Sequence, residues 1–208
     1  MNLVMRACSK SITAMPRELR FDFSNIRFVF LDRDGVLNRR PPSGQYITRV
    51  ENFEVLPGIA EAIAALNRSG RKVIVVTNQR GVALGLYSLD DLDRMHEKLR
   101  EELAQYGAHV DAIYVCPHDA GQCTCRKPQT GLIEQAFVDF PAARSDNSLI
   151  AGDSQRDIEA GLRAGLTTVF VQADEARTPD DQKAAGLAHL SIASLPELVK
   201  HYLCPPRP

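Results

Sequence analysis

Acidic residues occur at three points of the sequence in a pattern that suits phosphate chemistry. Asp32 and Asp34 follow the apolar run Phe28–Leu31, and residues two apart in an extended chain point to the same side. Two carboxylates in one site repel each other unless a cation neutralises them or one stays protonated. We therefore expect a hard cation, most simply Mg²⁺, with Asp153 as a third carboxylate and Asp157 in support.

The same segments offer a nucleophile and an acid/base. Attack of Asp32 on a phosphoryl group would give an aspartyl-phosphate, which splits one difficult hydrolysis into two displacements. Asp34 could protonate the leaving alkoxide and later take a proton from the attacking water. Thr77, Asn78 and Lys127 could donate hydrogen bonds or positive charge to the phosphoryl oxygens. Taken singly, each motif also suits a surface pair, a turn, a solvated charge or a helix cap, and their joint placement is what indicates a phosphatase.

A second cluster has the spacing C-x-H-x4-C-x-C and consists of Cys116, His118, Cys123 and Cys125. Three thiolates and one imidazole at this spacing match a closed, tetrahedral zinc site. The alternative is a loop lined by reduced cysteines, whereas the C-x-C spacing argues against a C-x-x-C redox motif. With no open coordination position, Zn²⁺ is expected to be structural and to hold the loop that carries Lys127.

The elements that must position these residues alternate along the chain from residue 27. Short apolar runs predict strands at residues 27–31, 72–77, 112–115, 148–151 and 167–171. Amphipathic stretches predict helices at residues 58–67, 88–103, 131–140, 156–164 and 195–203, with glycine stops at Gly70, Gly107 and Gly165. This alternation is typical of an α/β fold with a central parallel sheet, in which ligands bind at the carboxyl ends of the strands.

Composition and charge limit the function classes. The chain has 208 residues, of which 44% are hydrophobic and 25% charged, as in an ordinary globular protein. Its net charge of -1 implies no bulk attraction to nucleic acid or to anionic membranes. No apolar run approaches the roughly 20 residues that cross a bilayer. We expect a cytoplasmic monomer with an N-terminal extension at residues 1–25 and one domain at residues 26–208.

Four segments resemble the motifs of haloacid dehalogenase (HAD) superfamily phosphatases. They read FLDRDGVLN, VVTNQRG, RKP at residues 126–128 and AGDSQRD, in the order of the family. The resemblance covers residues 27–171. It implies a Rossmann-like three-layer fold without a large cap domain, here with the structural zinc loop in addition.

The resemblance also implies a role for each matching residue. Asp32 is then the nucleophile and Asp34 the acid/base. Thr77 and Lys127 stabilise the phosphate. Mg²⁺ is bound by Asp32, the Asp34 carbonyl and Asp153.

The zinc loop resembles the branch of the superfamily that contains heptose bisphosphate phosphatases and histidinol-phosphate phosphatases. TNQRGVALGLYS and EVLPG resemble the heptose enzymes, which favours release of the 7-phosphate of D-glycero-D-manno-heptose 1,7-bisphosphate, in carbohydrate and lipopolysaccharide heptose metabolism. Arg126 matches the substrate-recognition arginine, and Asn78, Gln79 and Arg80 are further candidate substrate contacts. Arg80 and Leu84 depart from the heptose pattern, and the short zinc loop is nearer the histidinol-phosphate type. Histidinol phosphate and other small sugar phosphates therefore stay open as substrates.

Two non-enzymatic alternatives also stay open. A phospho-receiver domain uses an acidic cluster, a threonine and a lysine around one aspartate, but that aspartate normally ends the third strand, whereas Asp32 and Asp34 follow the first. A zinc-stapled interaction module predicts no phosphate release at all. Metal-dependent phosphate release separates the three classes.

Overall fold

A parallel sheet of six strands forms the centre of the structure, a computed structural model that describes residues 22–172 and 179–205. The strands are β1 (Phe28–Leu31), β2 (Lys72–Asn78), β3 (Ala112–Cys116), β4 (Ser148–Gly152), β5 (Thr167–Val171) and β6 (Leu190–Ile192). Their order is β3-β2-β1-β4-β5-β6, and every pair is parallel. The chain therefore builds the sheet outward from β1 in one direction and then in the other.

Helices connect the strands and cover both faces of the sheet. They are α1 (Ile59–Arg68), α2 (Arg80–Ala83), α3 (Leu89–Ala104), α4 (Gly131–Asp139), α5 (Gln155–Arg163), α6 (Pro179–Leu187) and α7 (Leu195–Leu198), the last continued by a π-helical turn, Val199–Leu203. Among the described residues, none of these helices is both long and apolar enough to span a membrane.

The two sides of β1 show why the fold has three layers. Val29 and Leu31 point into one apolar core, which α1, α3 and α7 cover. Phe28 and Phe30 point into the other, which is covered mainly by α4. All four residues are buried, because a central parallel strand has helices on both sides. The predicted α/β architecture is confirmed.

The predicted elements agree closely with the observed ones. All five predicted strands are present, and both boundaries of each strand lie within one residue of the predicted ones. Gly70, Gly107 and Gly165 have φ of 78°, 65° and 73°, as expected of glycines that end helices. The short elements β6 and α2 were not predicted, nor was α6.

No separate cap domain interrupts the segment between β1 and α1, all of which the structure describes. It contains loops and one 3-10 helix, Val50–Asn52. Before β1, Phe23 of the predicted N-terminal extension is buried, and its ring centroid lies 5.4 Å from that of Tyr202 in a tilted arrangement. Phe23 therefore packs on the domain, and the predicted boundary after residue 25 stays a prediction. Residues 1–21, 173–178 and 206–208 lie outside the described residues.

Candidate active site

The predicted site residues meet at the carboxyl end of β1. Leu31 pairs with Val75 of β2 on one side and with Ala151 of β4 on the other, so the next residue, Asp32, lies between the ends of both neighbours. The sheet grows from β1 towards β2 on one side and towards β4 on the other, so the loops at this point diverge and leave a crevice. A cavity of about 380 Å³ opens there, lined by residues that include Asp32, Asp34, Asn78, Gln79, Arg80, Arg126, Lys127 and Asp153.

A buried lysine connects two of the carboxylates. Nζ of Lys127 lies 2.8 Å from Oδ1 of Asp32 and 2.5 Å from Oδ1 of Asp157, and it donates to the carbonyl of Val76. Burial acts to lower the pKa of Lys127, but the carboxylates of Asp157 and Asp32 outweigh it and keep that pKa above its ordinary value. Lys127 is therefore a fixed positive charge beside Asp32.

The predicted nucleophile has a perturbed carboxyl group. Burial, followed by the charge of Asp157, raises the pKa of Asp32 to about 6 even though Lys127 opposes the shift. Burial also raises the pKa of Asp153 well above its ordinary value, with the charges of Asp32 and Asp157 adding to the effect. The three carboxylates of Asp32, Asp153 and Asp157 together carry an excess of negative charge, which a bound cation would neutralise.

Three carboxylates lie close enough together to share such a cation. One carboxylate oxygen from each of Asp32, Asp153 and Asp157 lies within 4.8 Å of the others. Gly35 has a φ of 87°, and a Cβ at this position would overlap the carboxylate of Asp153. Both carboxylate oxygens of Asp157 have partners, Oδ1 in Lys127 and Oδ2 in Ser154. Asp32 and Asp153 each have one oxygen in a described ion pair, so they are the side chains best able to hold a hard cation.

The side chain of Asp34, in contrast, faces hydrogen-bond donors. Its carboxylate accepts from Nη2 of Arg33 at 2.8 and 3.0 Å, from Nδ2 of Asn38 at 2.9 Å and from Nε2 of Gln79 at 3.0 Å. Burial acts to raise the pKa of Asp34, but the charge of Arg33 and these hydrogen bonds lower it overall. Its predicted contribution to Mg²⁺ through the main-chain carbonyl stays a prediction.

The two amides predicted to contact substrate are already hydrogen-bonded. Asn78 exchanges two hydrogen bonds of 3.0 Å with the main chain of Lys127. Gln79 is buried, donates to Oγ1 of Thr77 at 2.9 Å and accepts from the hydroxyl of Tyr87 at 2.6 Å. Both amides line the cavity, and their contact with substrate stays a prediction. Thr77 is buried and is not among the residues that line the cavity, so its predicted contact with the phosphate stays a prediction.

Three arginines form the outer rim of the site. Arg80 is paired with Asp119, which lies between the predicted zinc ligands His118 and Cys123, at 2.5 Å between Nε and Oδ1. Nη1 of Arg126 donates to the carbonyl of His118 at 3.4 Å. Together with Arg156, which sequence reasoning missed, they line a hollow of about 260 Å³ beside the main cavity. The rim therefore carries positive charge next to the predicted nucleophile.

The predicted zinc ligands come together in the loop after β3. Sγ of Cys123 lies 3.5 Å from Sγ of Cys116 and 3.2 Å from Sγ of Cys125. Nδ1 of His118 lies 3.3 Å from Sγ of Cys125 and 3.8 Å from Sγ of Cys116. Zinc–ligand bonds of about 2.0 to 2.3 Å in a tetrahedron give ligand separations of about 3.3 to 3.8 Å, so this arrangement fits Zn²⁺.

Sequence reasoning missed Arg33, Asn38, Arg40 and Tyr87, which all contact the predicted residues. Nη1 of Arg40 lies 3.3 Å from Oδ2 of Asp153, across 113 positions of sequence. The sequence alone could have suggested an ion pair at Arg33, because an arginine between two strand-end aspartates has a carboxylate within reach. The others depend on contacts that only the fold creates.

Comparison with known proteins adds independent information. A model of the HAD-hydrolase-like family matches residues 124–198. The D-glycero-beta-D-manno-heptose-1,7-bisphosphate 7-phosphatase of Pseudomonas putida is 38% identical over 148 residues, which cover 71% of this chain and 83% of that protein. The D-glycero-alpha-D-manno-heptose-1,7-bisphosphate 7-phosphatase of Mycobacterium tuberculosis is 42% identical over 132 residues, which cover 63% and 69% respectively.

A solved structure agrees with these relatives. The D,D-heptose 1,7-bisphosphate phosphatase of B. bronchiseptica, in complex with magnesium and phosphate, superposes with a TM-score of 0.74 at 30% identity. The alignment covers 86% of this chain and 98% of that one. The similarity therefore extends over most of this chain and nearly all of that one.

Proposed function

This chain is a phosphatase of the HAD-like hydrolase family, and on that premise we propose that it releases the 7-phosphate of D-glycero-D-manno-heptose 1,7-bisphosphate through an aspartyl-phosphate at Asp32. One observation carries the proposal. The carboxylate of Asp32 lies against the buried charge of Lys127 at the floor of an open, arginine-rimmed cavity. The relatives named for this substrate support the choice of sugar phosphate.

The side chains divide the reaction into two displacements. An oxygen of Asp32 attacks phosphorus while the bond to the sugar oxygen breaks, and Asp34 gives a proton to the departing alkoxide. The site alone lowers the pKa of Asp34, so this proton has to be taken up when the substrate binds, because the negative phosphate acts on that pKa in the opposite direction. Water then attacks the aspartyl-phosphate, Asp34 takes a proton from that water, and the Asp32 carboxylate is restored with release of phosphate. Lys127 and Thr77 stabilise the charge that develops on the phosphoryl oxygens.

We assign the two metals to different tasks. Asp32, Asp153 and the Asp34 carbonyl would hold Mg²⁺, whose chemistry is to neutralise negative charge on the carboxylates and the phosphoryl group. The magnesium in the B. bronchiseptica structure supports this assignment. Cys116, His118, Cys123 and Cys125 would hold a structural Zn²⁺ that fixes the loop carrying Arg126 and Lys127.

The arginine rim supports a substrate with a second phosphate. Arg80, Arg126 and Arg156 line the hollow beside the catalytic cavity, and guanidinium groups suit phosphate because they can donate two hydrogen bonds at once. With the 7-phosphate at Asp32, the rim would bind the 1-phosphate. Histidinol phosphate, which has one phosphate and a cationic amine, fits this rim less well.

The test is phosphate release from four substrates, with Mg²⁺ and with EDTA. They are the α and β anomers of the heptose bisphosphate, heptose 7-phosphate and histidinol phosphate. We expect Mg²⁺-dependent release, fastest from one bisphosphate anomer. A preference for histidinol phosphate would refute the substrate, and release that is unchanged in EDTA would refute the metal assignment.

Two substitutions test the nucleophile. Asp32→Asn is expected to fold, retain zinc and lose turnover, whereas Asp146→Asn, at an exposed surface pair, is expected to keep full turnover. An active Asp32→Asn protein would overturn the mechanism.

A further inference from the structure

A buried guanidinium lies directly behind the site. Arg33 is 1% exposed and ranks first by volume among the fully buried side chains of the described residues. A charge taken out of water is costly unless it is paired and hydrogen-bonded. Its position therefore calls for a specific partner.

That partner is Asp34. Nη2 of Arg33 lies 2.8 Å from Oδ1 and 3.0 Å from Oδ2 of Asp34, and Nε lies 3.3 Å from Oδ1. A planar guanidinium in this geometry restrains both the location and the rotation of the carboxylate, which a lysine ammonium cannot do. About a quarter of the Asp34 side chain remains exposed, and this residue lines the catalytic cavity.

The guanidinium is itself held in place. Its central carbon lies 5.3 Å from the ring centroid of Phe53, in a cation–π arrangement. Nη1 lies 3.5 Å from Nε2 of His96, a buried residue of α3. Burial, and next the charge of Arg33, lower the pKa of His96 to about 3, so the ring is neutral and able to accept this contact. The contacts with Phe53 and His96 fix the guanidinium of Arg33, and the guanidinium in turn fixes the carboxylate of Asp34.

We infer that Arg33 is a positioning residue, which holds the Asp34 carboxyl where it can give its proton to the leaving group. Arg33 is buried at the edge of the cavity and forms no described hydrogen bond with Asp32 or Lys127. The inference rests on the proposed role of Asp34 as acid/base. It goes beyond that role because it predicts which step of the reaction depends on the buried guanidinium.

The test uses leaving groups that differ in their need for a proton. An alkyl phosphate, such as the heptose bisphosphate, loses an alkoxide that must be protonated, whereas p-nitrophenyl phosphate loses a stable anion. The quantity measured is kcat/KM, because it covers the steps up to loss of the leaving group. For Arg33→Lys and Arg33→Met we expect a fall of about 10²-fold on the alkyl ester, since small misplacements of a catalytic group cost about that much. On the aryl ester we expect a fall of less than about threefold, because protonation contributes little there.

Controls separate positioning from folding. Asp34→Asn should show the same dependence on the leaving group, and Arg144→Met, at an exposed pair, should change neither substrate. If the Arg33 variants do not fold, Phe53→Leu and His96→Gln loosen the guanidinium without removing it. These two variants should lower kcat/KM selectively on the alkyl ester.

The outcomes distinguish this inference from the proposed function. Equal losses on both esters, or no loss on either, in folded variants would overturn the positioning role while leaving the phosphatase assignment intact. Failure of the wild-type protein to release phosphate from any ester, or a fully active Asp32→Asn protein, would instead overturn the proposed function.

Discussion

Gly35→Ala tests the proposed magnesium site through a single methyl group. Gly35 has a φ of 87°, in the region that favours glycine, and its Cα faces the carboxyl group of Asp153. An added Cβ would overlap Oδ2 of Asp153 and lie 2.6 Å from its Cγ. Neither residue can retain its present position in this variant.

The structure sets the magnitude of the effect. Ordinary van der Waals contact begins at 3.4 Å, so the carboxyl group of Asp153 must move by roughly 1 Å or more. Mg²⁺ tolerates such a shift poorly, because it requires oxygen ligands at about 2.0 to 2.1 Å in near-octahedral geometry. We therefore expect Mg²⁺ affinity to fall by about 10- to 100-fold, comparable to the loss of a residue that orients a metal ligand. Positive φ at alanine adds about 1 to 2 kcal/mol of destabilisation.

Gly70→Ala is the matched control, since Gly70 has a φ of 78° and no atom lies within 4 Å of an added Cβ. The assay is phosphate release titrated with Mg²⁺, together with chemical unfolding in EDTA. The positive φ should lower the free energy of unfolding by a similar amount in both variants. Only Gly35→Ala should require a higher Mg²⁺ concentration for half-maximal activity. If Gly35→Ala is half-activated at the wild-type Mg²⁺ concentration, Asp153 is not a magnesium ligand in the way we propose.

Three further predictions concern buried charge and zinc. Lys127→Met leaves its two partner carboxylates without a cation, so turnover should be lost and the free energy of unfolding should fall by about 3 to 5 kcal/mol. Lys72→Met, at a half-exposed pair, should lower that free energy by at most about 1 kcal/mol. Urea unfolding of the two variants measures the difference. The pKa of His96 is about 3 in the folded state against an ordinary 6.5, so the unfolded state takes up the proton at a higher pH than the folded state does. The free energy of unfolding should therefore fall as the pH falls from about 6.5 towards 3, by up to about 1.4 kcal/mol per pH unit. This slope, measured in EDTA, should be shallower in His96→Gln, and an unchanged slope would contradict the assignment. Cys123→Ser should lose zinc, measured by metal analysis, and lower the melting temperature, whereas Cys204→Ser should retain the metal.

The sheet could be predicted because its strands carry strong local signals. Continuous β-branched and aromatic runs identify buried parallel strands, and the glycines that end helices identify the boundaries. The missed elements lack such signals. Strand β6 has three residues, one of them the polar Ser191, and α2 has four residues whose Gly81 packs against the ring of Tyr87. Both form because neighbouring elements give them a surface to pack on, which is a tertiary effect.

The composition of the site was predictable, and the direction of its side chains was not. Parallel strands bring their carboxyl ends to one edge, so Asp32 and Asp153 could be grouped from strand positions alone, and Lys127 joined them through the loop that follows β3. Beyond the strand, period-two alternation no longer fixes where a side chain points. Gln79 illustrates this limit, because its orientation is fixed by a hydrogen bond from Tyr87, eight residues further along the chain. Its amide faces Asp34 and Thr77 for that reason.

Two cations allow two aspartates of one short loop to behave differently. Lys127 stands beside Asp32, where burial and neighbouring carboxylates raise the pKa to about 6, and a metal at Asp153 would act in the opposite sense on the nucleophile. Arg33 stands beside Asp34, where charge and hydrogen bonds lower the pKa. Because the two cations approach from different elements, the environment of either carboxylate can change without the other. The first displacement needs an ionised Asp32 and a protonated Asp34, so binding of the cation and of the negative phosphate must lower the pKa of Asp32 and raise the pKa of Asp34 before the two side chains take up these roles.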